Sequence, residues 1–250
     1  MLKNKVYIIT GANGRIGFEL SKYLIKIGAK IVMTDIKINN IKSLNNNNNH
    51  LIKKIDIINE KNIHHLIKMT NKKFNKIDGI VHCAYPVTKD WGQILEKLSP
   101  KSLKENLFNQ LGVSILISKQ IIKYFIKNKI SGKIIYISSI QGVRPPKFEH
   151  YKGLKMSSPI EYSVIKTGII SLTSYLAKLY KKNKISINCV SPGGIRDNQP
   201  KKFIKRYLQT CGVKGLLNSK DIIGTIIFLL SNNSEYINGQ NIIIDDGWSL

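Results

Sequence analysis

"KVYIITGANGRIGFELSKYLIKIGAKIVMTD", residues 5–35, decides the fold. A β-rich apolar run (5–10) enters a glycine turn, helical spacing follows from 16 to 28, and a second apolar run closes at 35. Strand, turn, helix and strand in so short a span make the crossover unit that parallel neighbours require. The glycines fall where strand passes into helix. Gly11 suits the tight turn, Gly14 lets backbone approach a diphosphate, and Gly17 permits close packing of helix on strand. The helix N-terminus then presents unpaired N–H groups and a favourable dipole to an anion. A glycine-rich turn without a ligand would read the same in isolation, so the strand before it and the helix after it carry the weight. Asp35 lies 18 residues past Gly17 at the end of the second strand. A carboxylate there accepts hydrogen bonds from ribose 2′- and 3′-hydroxyls and repels a 2′-phosphate, which favours NAD. Arg15 and Lys37 leave NADP open.

Outward from this unit the alternation continues. "HLIKKIDI" reads as a third strand ending near Asp56, which is placed either to touch an adenine edge or to cap the next helix. "IDGIVHCAY" reads as a fourth strand, one long helix covers 102–128, and "GKIIYISS" is a fifth strand. A helix from 160 to 181 leads to "ISINCVSPGG", and "SKDIIGTIIFLLS" precedes a last strand, "GQNIIIDDG". Strands alternating with helices predict a parallel sheet covered on both faces. The fold class expected is therefore α/β, a doubly wound seven-stranded parallel sheet in one domain over 1–250. The asparagine run at 45–49 is expected as a surface loop.

Bulk composition removes several alternatives. The chain has 250 residues and 42% hydrophobic content, enough for a substantial core. Its apolar runs are shorter than the about 20 residues of a membrane span. "MLKNKVYIIT" runs straight into the glycine turn and reads as a strand, not a signal peptide. Cys83, Cys189 and Cys211 are widely spaced, with no CxxC and no histidine at ligand spacing, so neither a metal site nor a disulfide framework is expected. Such usage suits a reducing cytoplasm. His64 and His65 are adjacent and are expected in solvent. The net charge of +25 is nearly all lysine, spread along a chain that is also inflated in Ile and Asn. That pattern looks compositional, so nucleic acid is not expected as a partner, while an anionic small substrate is favoured.

In "SSPIEYSVIKTGIISL" (157–172), Tyr162 and Lys166 stand four residues apart, on one face of a helix. A phenol has an unperturbed pKa of about 10 and is a poor base at neutral pH. A neighbouring ammonium is expected to stabilise the phenolate and lower that value.

Taken together, TGANGRIG (10–17), Asp35, Asp56, ISS (137–139), YSVIK (162–166), NCVSPGGI (188–195) and NGQNIIIDDGW (238–248) resemble the short-chain dehydrogenase/reductases. The likeness covers essentially the whole chain. It implies a Rossmann-type fold, with Tyr162 as acid/base, Lys166 as its partner and Ser139 as the substrate orienter. It implies cofactor contacts from Gly11, Asn13, Gly14, Arg15, Ile16, Gly17, Asp35, Asp56, Ala84, Tyr162, Lys166, Pro192, Gly193 and Ile195. A homotetramer or homodimer built on the helices at 102–128 and 160–181 is also implied.

There are departures from the family pattern. The usual "NNAG" after the fourth strand is His82-Cys83-Ala84-Tyr85, so another packing must steady the sheet there. Gln110 stands where an asparagine normally holds a relay water, with Asn109 beside it. Arg15 replaces the middle glycine of the loop, and Asp197 replaces a carboxamide-binding threonine. Ser139 and Tyr162 are separated by an insertion at about 143–160, read as a substrate loop, and a lid is expected at about 195–218. These segments would offer Arg144, Lys147, Lys152, Lys202 and Arg206 to an anionic substrate. More narrowly, "FEHYKG", "SPGGIRDNQP" and "NGQNIIIDDGWSL" resemble bacterial oxidoreductases associated with flagellin modification and legionaminic-type sugar synthesis. That implies a sugar or sugar-phosphate precursor as substrate. A 3-oxoacyl-thioester reductase and a non-catalytic nucleotide-binding scaffold are the competing expectations.

Overall fold

The computed structural model describes residues 2–44 and 48–250. Seven strands form one parallel sheet: β1 (Val6–Thr10), β2 (Lys30–Asp35), β3 (His50–Lys54), β4 (Gly79–His82), β5 (Lys133–Ile137), β6 (Ser186–Pro192) and β7 (Asn241–Ile244). Their order is β3-β2-β1-β4-β5-β6-β7, and every pairing is parallel. Order reverses between β1 and β4, which opens the crevice at their carboxyl ends where ligands of such sheets bind. The expected Rossmann-type fold is the observed one.

Alternation along the strands divides the core in two. Ile8, Val32, Ile80, Ile134 and Ile187 face one layer, made by α2 (Glu60–Phe74), α4 (Val113–Lys127) and α5 (Ile160–Leu179). Tyr7, Ile9, Ile31, Met33 and Val190 face the other, made by α1 (Arg15–Lys26) and α7 (Ile223–Leu230). A third, smaller cluster joins Phe203 and Tyr207 of α6 (Lys201–Leu208) to Leu216 and Trp248, with Tyr151, Leu154 and Met156 of the insertion packed on it.

Two expectations change, and one of the two alternatives for Asp56 closes. The single helix at 102–128 is α3 (Pro100–Leu107), a π-helical turn (Phe108–Gly112) and α4. One extra residue is thereby taken up beside the crevice, as such turns often are at functional sites. The third strand stops at Lys54, and Asp56 is no helix cap. Asn59 caps α2 by accepting from Lys61 N, while Asp56 Oδ1 accepts from Ile58 N at 3.0 Å. Of the asparagine run, 45–47 lie outside the described residues, and 48–49 form an exposed turn. His64 and His65 are exposed.

Candidate active site

Gly11 leaves β1 with φ +64°, and a Cβ there would stand 2.5 Å from Ala84 N. The chain leaving β4 can approach the loop this closely only because the position carries no side chain. The departure at 82–85 supplies its own fastening. The buried His82 shares a 2.7 Å hydrogen bond with Thr10 Oγ1, tying β4 to β1, and its ring meets Tyr136 edge-on. Burial, with Lys166 nearby, pushes its pKa down to about 3, so the ring is neutral at ordinary pH. Asn13 N donates to Asp35 Oδ2 at 3.0 Å and Lys37 N to Oδ1 at 3.1 Å, which aims the carboxylate along the crevice.

Tyr162 and Lys166 lie one turn apart at the start of α5, facing Ser139 at the end of β5. Ser139 Oγ accepts from Gln141 N at 3.2 Å. Lys166 is buried, and its Nζ donates to the Ile137 carbonyl at 3.0 Å. The ammonium rides over two rings, 5.3 Å from the centroid of Tyr85 and 5.5 Å from that of Tyr162. Tyr85 and Trp91 meet edge-on at 5.7 Å, and Tyr85 meets Tyr162 at 5.8 Å. Burial lowers the Lys166 pKa to about 8. Burial also raises the Tyr162 hydroxyl above its ordinary value, and hydrogen bonding with Ser139 pulls it back only in part. The expected acidification of this phenol by its lysine is therefore absent from this geometry. The physical reason is that the charge sits over the ring and on a carbonyl, and desolvation of the phenolate dominates.

The glycine loop, Asp35, Tyr85, Trp91, Ser139, Tyr162 and Lys166 border one cavity of about 990 Å³. It reaches from Asp35 and Asp56, along the glycine loop, to Ser139, Tyr162 and Lys166. Every cofactor contact expected from the sequence lines it, Ala84, Pro192, Gly193 and Ile195 among them. A dinucleotide fits what is there: a carboxylate at one end, a helix N-terminus in the middle and a hydroxyl pair at the other. Gln110 is the exception among the expected catalytic residues, for Asn109 lines the cavity in its stead. Gln110 lies buried in the π turn with Nε2 on Pro86 O at 3.1 Å, and its Oε1 has no partner among the described residues.

The far end is walled by Trp91, Gln141, Tyr151, Phe203, Tyr207 and Trp248. Tyr151 lies in the expected substrate loop and Phe203 and Tyr207 of α6 lie in the expected lid, but none of the six was singled out, since they come from five separate segments that no local spacing joins. Of the five cations assigned to a substrate, none lines the cavity. Arg206 is spent on the carbonyls of His150 and Lys152, and Lys147 alone lies over a lining residue, 4.9 Å from the Trp248 ring centroid.

Residues 11–249 match the family model described as enoyl-(acyl carrier protein) reductase. The chain belongs to the short-chain dehydrogenase/reductases. As such it is an NAD(P)-dependent oxidoreductase. It is 40% identical to post-translational flagellin modification protein A of Campylobacter coli, over 100% of both chains. It is 26% identical to a 3-oxoacyl-acyl-carrier-protein reductase of Rickettsia prowazekii, over 98% of this chain and 97% of the other. Among solved structures, a short-chain dehydrogenase from Leptospira borgpetersenii with bound NAD+ superimposes with a TM-score of 0.91 at 28% identity, covering 100% of this chain and 94% of that one. Among the described residues of this short-chain dehydrogenase/reductase, no helix is long and apolar enough to cross a membrane, and no cluster of His, Cys, Asp or Glu forms a candidate metal site.

Proposed function

We propose that this dehydrogenase/reductase interconverts an alcohol and a ketone on a sugar or sugar-phosphate precursor, with NAD preferred. The observation that carries the reading is the single cavity joining Asp35 and the glycine loop to Ser139, Tyr162 and Lys166. The bound nicotinamide would supply or accept the hydride. Tyr162 gives its hydroxyl proton to the substrate oxygen in reduction and takes it back in oxidation, while Ser139 holds that oxygen. Lys166 contributes positive charge beneath the phenol ring. Asn109, which borders the cavity where Gln110 does not, is assigned as the group that would hold a relay water.

The sugar assignment is supported by the full-length likeness to a flagellin modification protein. The insertion and the segment at 195–218 form the substrate end, and an anionic substituent would meet Lys147 first. A 3-oxoacyl-thioester reductase is the second reading, favoured by the Rickettsia relative and the matching family model. The three free cysteines accord with a cytoplasmic enzyme. Assay of glucosamine 6-phosphate, UDP-N-acetylglucosamine and acetoacetyl-CoA with each cofactor separates the readings. Turnover of the thioester alone would overturn the sugar assignment. Tyr162→Phe should retain NADH binding and lose turnover by at least about 100-fold; unchanged turnover would remove Tyr162 from its role.

A further inference from the structure

Two departures from the family pattern turn out to face each other. Arg15, first residue of α1, forms an ion pair with Asp197 from the segment after β6. The pair joins the two lips of the crevice over its middle stretch, where a diphosphate would lie. Asp197 is held for this. Its N–H donates to Gln199 Oε1 at 2.6 Å, Gln199 Nε2 donates to Ile195 O at 2.8 Å, and Arg196 N donates to Leu217 O at 2.7 Å.

Arg15 also borders a second recess, of about 840 Å³, shared with Asn39, Asn40, Ser43 and Glu19. This recess adjoins the ribose end of the crevice. Asn13 Oδ1 accepts from Asn40 N at 2.8 Å while Asn13 N donates to Asp35. Among the described residues that line the recess, Arg15 is the one cation and Glu19 the one anion. A guanidinium turned into it would receive a ribose 2′-phosphate in its fork geometry. With the guanidinium held by Asp197, no other cation among the described residues lines the recess, and its Glu19 carboxylate is paired with Lys22.

We propose that Asp197 is a cofactor-specificity residue: by holding Arg15 across the crevice it withholds that guanidinium from the ribose 2′-position, leaving Lys37 as the cation beside Asp35, and widens the preference for NAD over NADP. This rests on the reading of Asp35 as the ribose ligand. Asp197 acts through Arg15 and is a positioning residue.

The test is equilibrium binding of NADH and NADPH by fluorescence, with no substrate present. Both side chains are largely exposed, so the variants should fold. Asp197→Asn should raise NADPH affinity relative to NADH by roughly two- to fivefold, the most that releasing an exposed ion pair worth up to about 1 kcal/mol returns. Asp197→Glu, which keeps the charge, should leave the ratio near the wild-type value. Adding Arg15→Gln to Asp197→Asn should abolish the gain. An unchanged ratio in Asp197→Asn, or a gain that survives loss of Arg15, overturns the proposal. A wild-type enzyme that binds NADPH more tightly overturns the reading of Asp35, while the response to Asp197→Asn still judges the clasp.

Discussion

Lys166 carries a charge that the fold makes expensive. Burial brings its pKa down to about 8, against about 10.4 for a free lysine. Between those values the unfolded chain binds a proton that the native side chain has released. Stability therefore rises with pH across that window, and the cost of burying the ammonium is carried in full below it. The contribution amounts to roughly 3 kcal/mol across the window. Urea denaturation from pH 7.5 to 10 should show this rise in the wild type relative to Lys166→Met. The difference between the two proteins is the quantity to read, because buried tyrosines such as Tyr7 and Tyr85 oppose it near pH 10. Equal slopes would show that Lys166 keeps its ordinary pKa. Below pH 8 the ammonium is present for the site, so the residue gives up stability where it serves catalysis.

The glycine loop shows how an element, as opposed to a residue, is held. Gly11 and Gly153 share a left-handed backbone, at φ +64° and φ +72°. A side chain costs either of them about 1 kcal/mol in that conformation. At Gly153 nothing lies within 4 Å of a new Cβ, so Gly153→Ala should cost about that much and no more. At Gly11 the Cβ would collide with the Ala84 backbone, and β1 must part from the chain leaving β4. Gly11→Ala should therefore cost several times as much in denaturant midpoint and also weaken NADH binding. Equal costs would mean that the loop and the end of β4 are free to separate. The π turn between α3 and α4 is an element of another kind. A periodicity of 3.6 describes 102–128 well enough to read one helix, yet an extra residue inserted at Phe108–Gly112 turns Asn109 to the cavity and Gln110 away from it. Hydrophobic spacing cannot register one added residue when both flanking helices bury the same face.

At the scale of the molecule, the layer formed by α4 and α5 is not finished by its own chain. Phe108, Ile115, Val164, Tyr175 and Leu179 are exposed apolar side chains on or beside these helices. Apolar surface of this kind is normally covered. If the homodimer or homotetramer expected from the sequence forms through this face, the wild type sediments as an oligomer and Val164→Glu shifts it toward smaller species. A stable wild-type monomer would contradict that expectation.

Local order in the sequence was enough to determine the sheet, the glycine turn and the facing of Tyr162 and Lys166. Each of these depends on spacings of two to four residues or on a strand running directly into a helix, and such relations survive in one dimension. The place of Asp35 at the crevice belongs with them, since a strand end is set by the length of its apolar run. The tertiary structure alone decided the rest. It put His82 on Thr10, Lys166 over a ring and not at the hydroxyl, and Trp248 beside Tyr151 from the far end of the chain. It also brought Arg15 to Asp197 across 182 positions. Charges and desolvation act through space, so which ammonium faces which oxygen is fixed only when the two core layers and the small third cluster have packed.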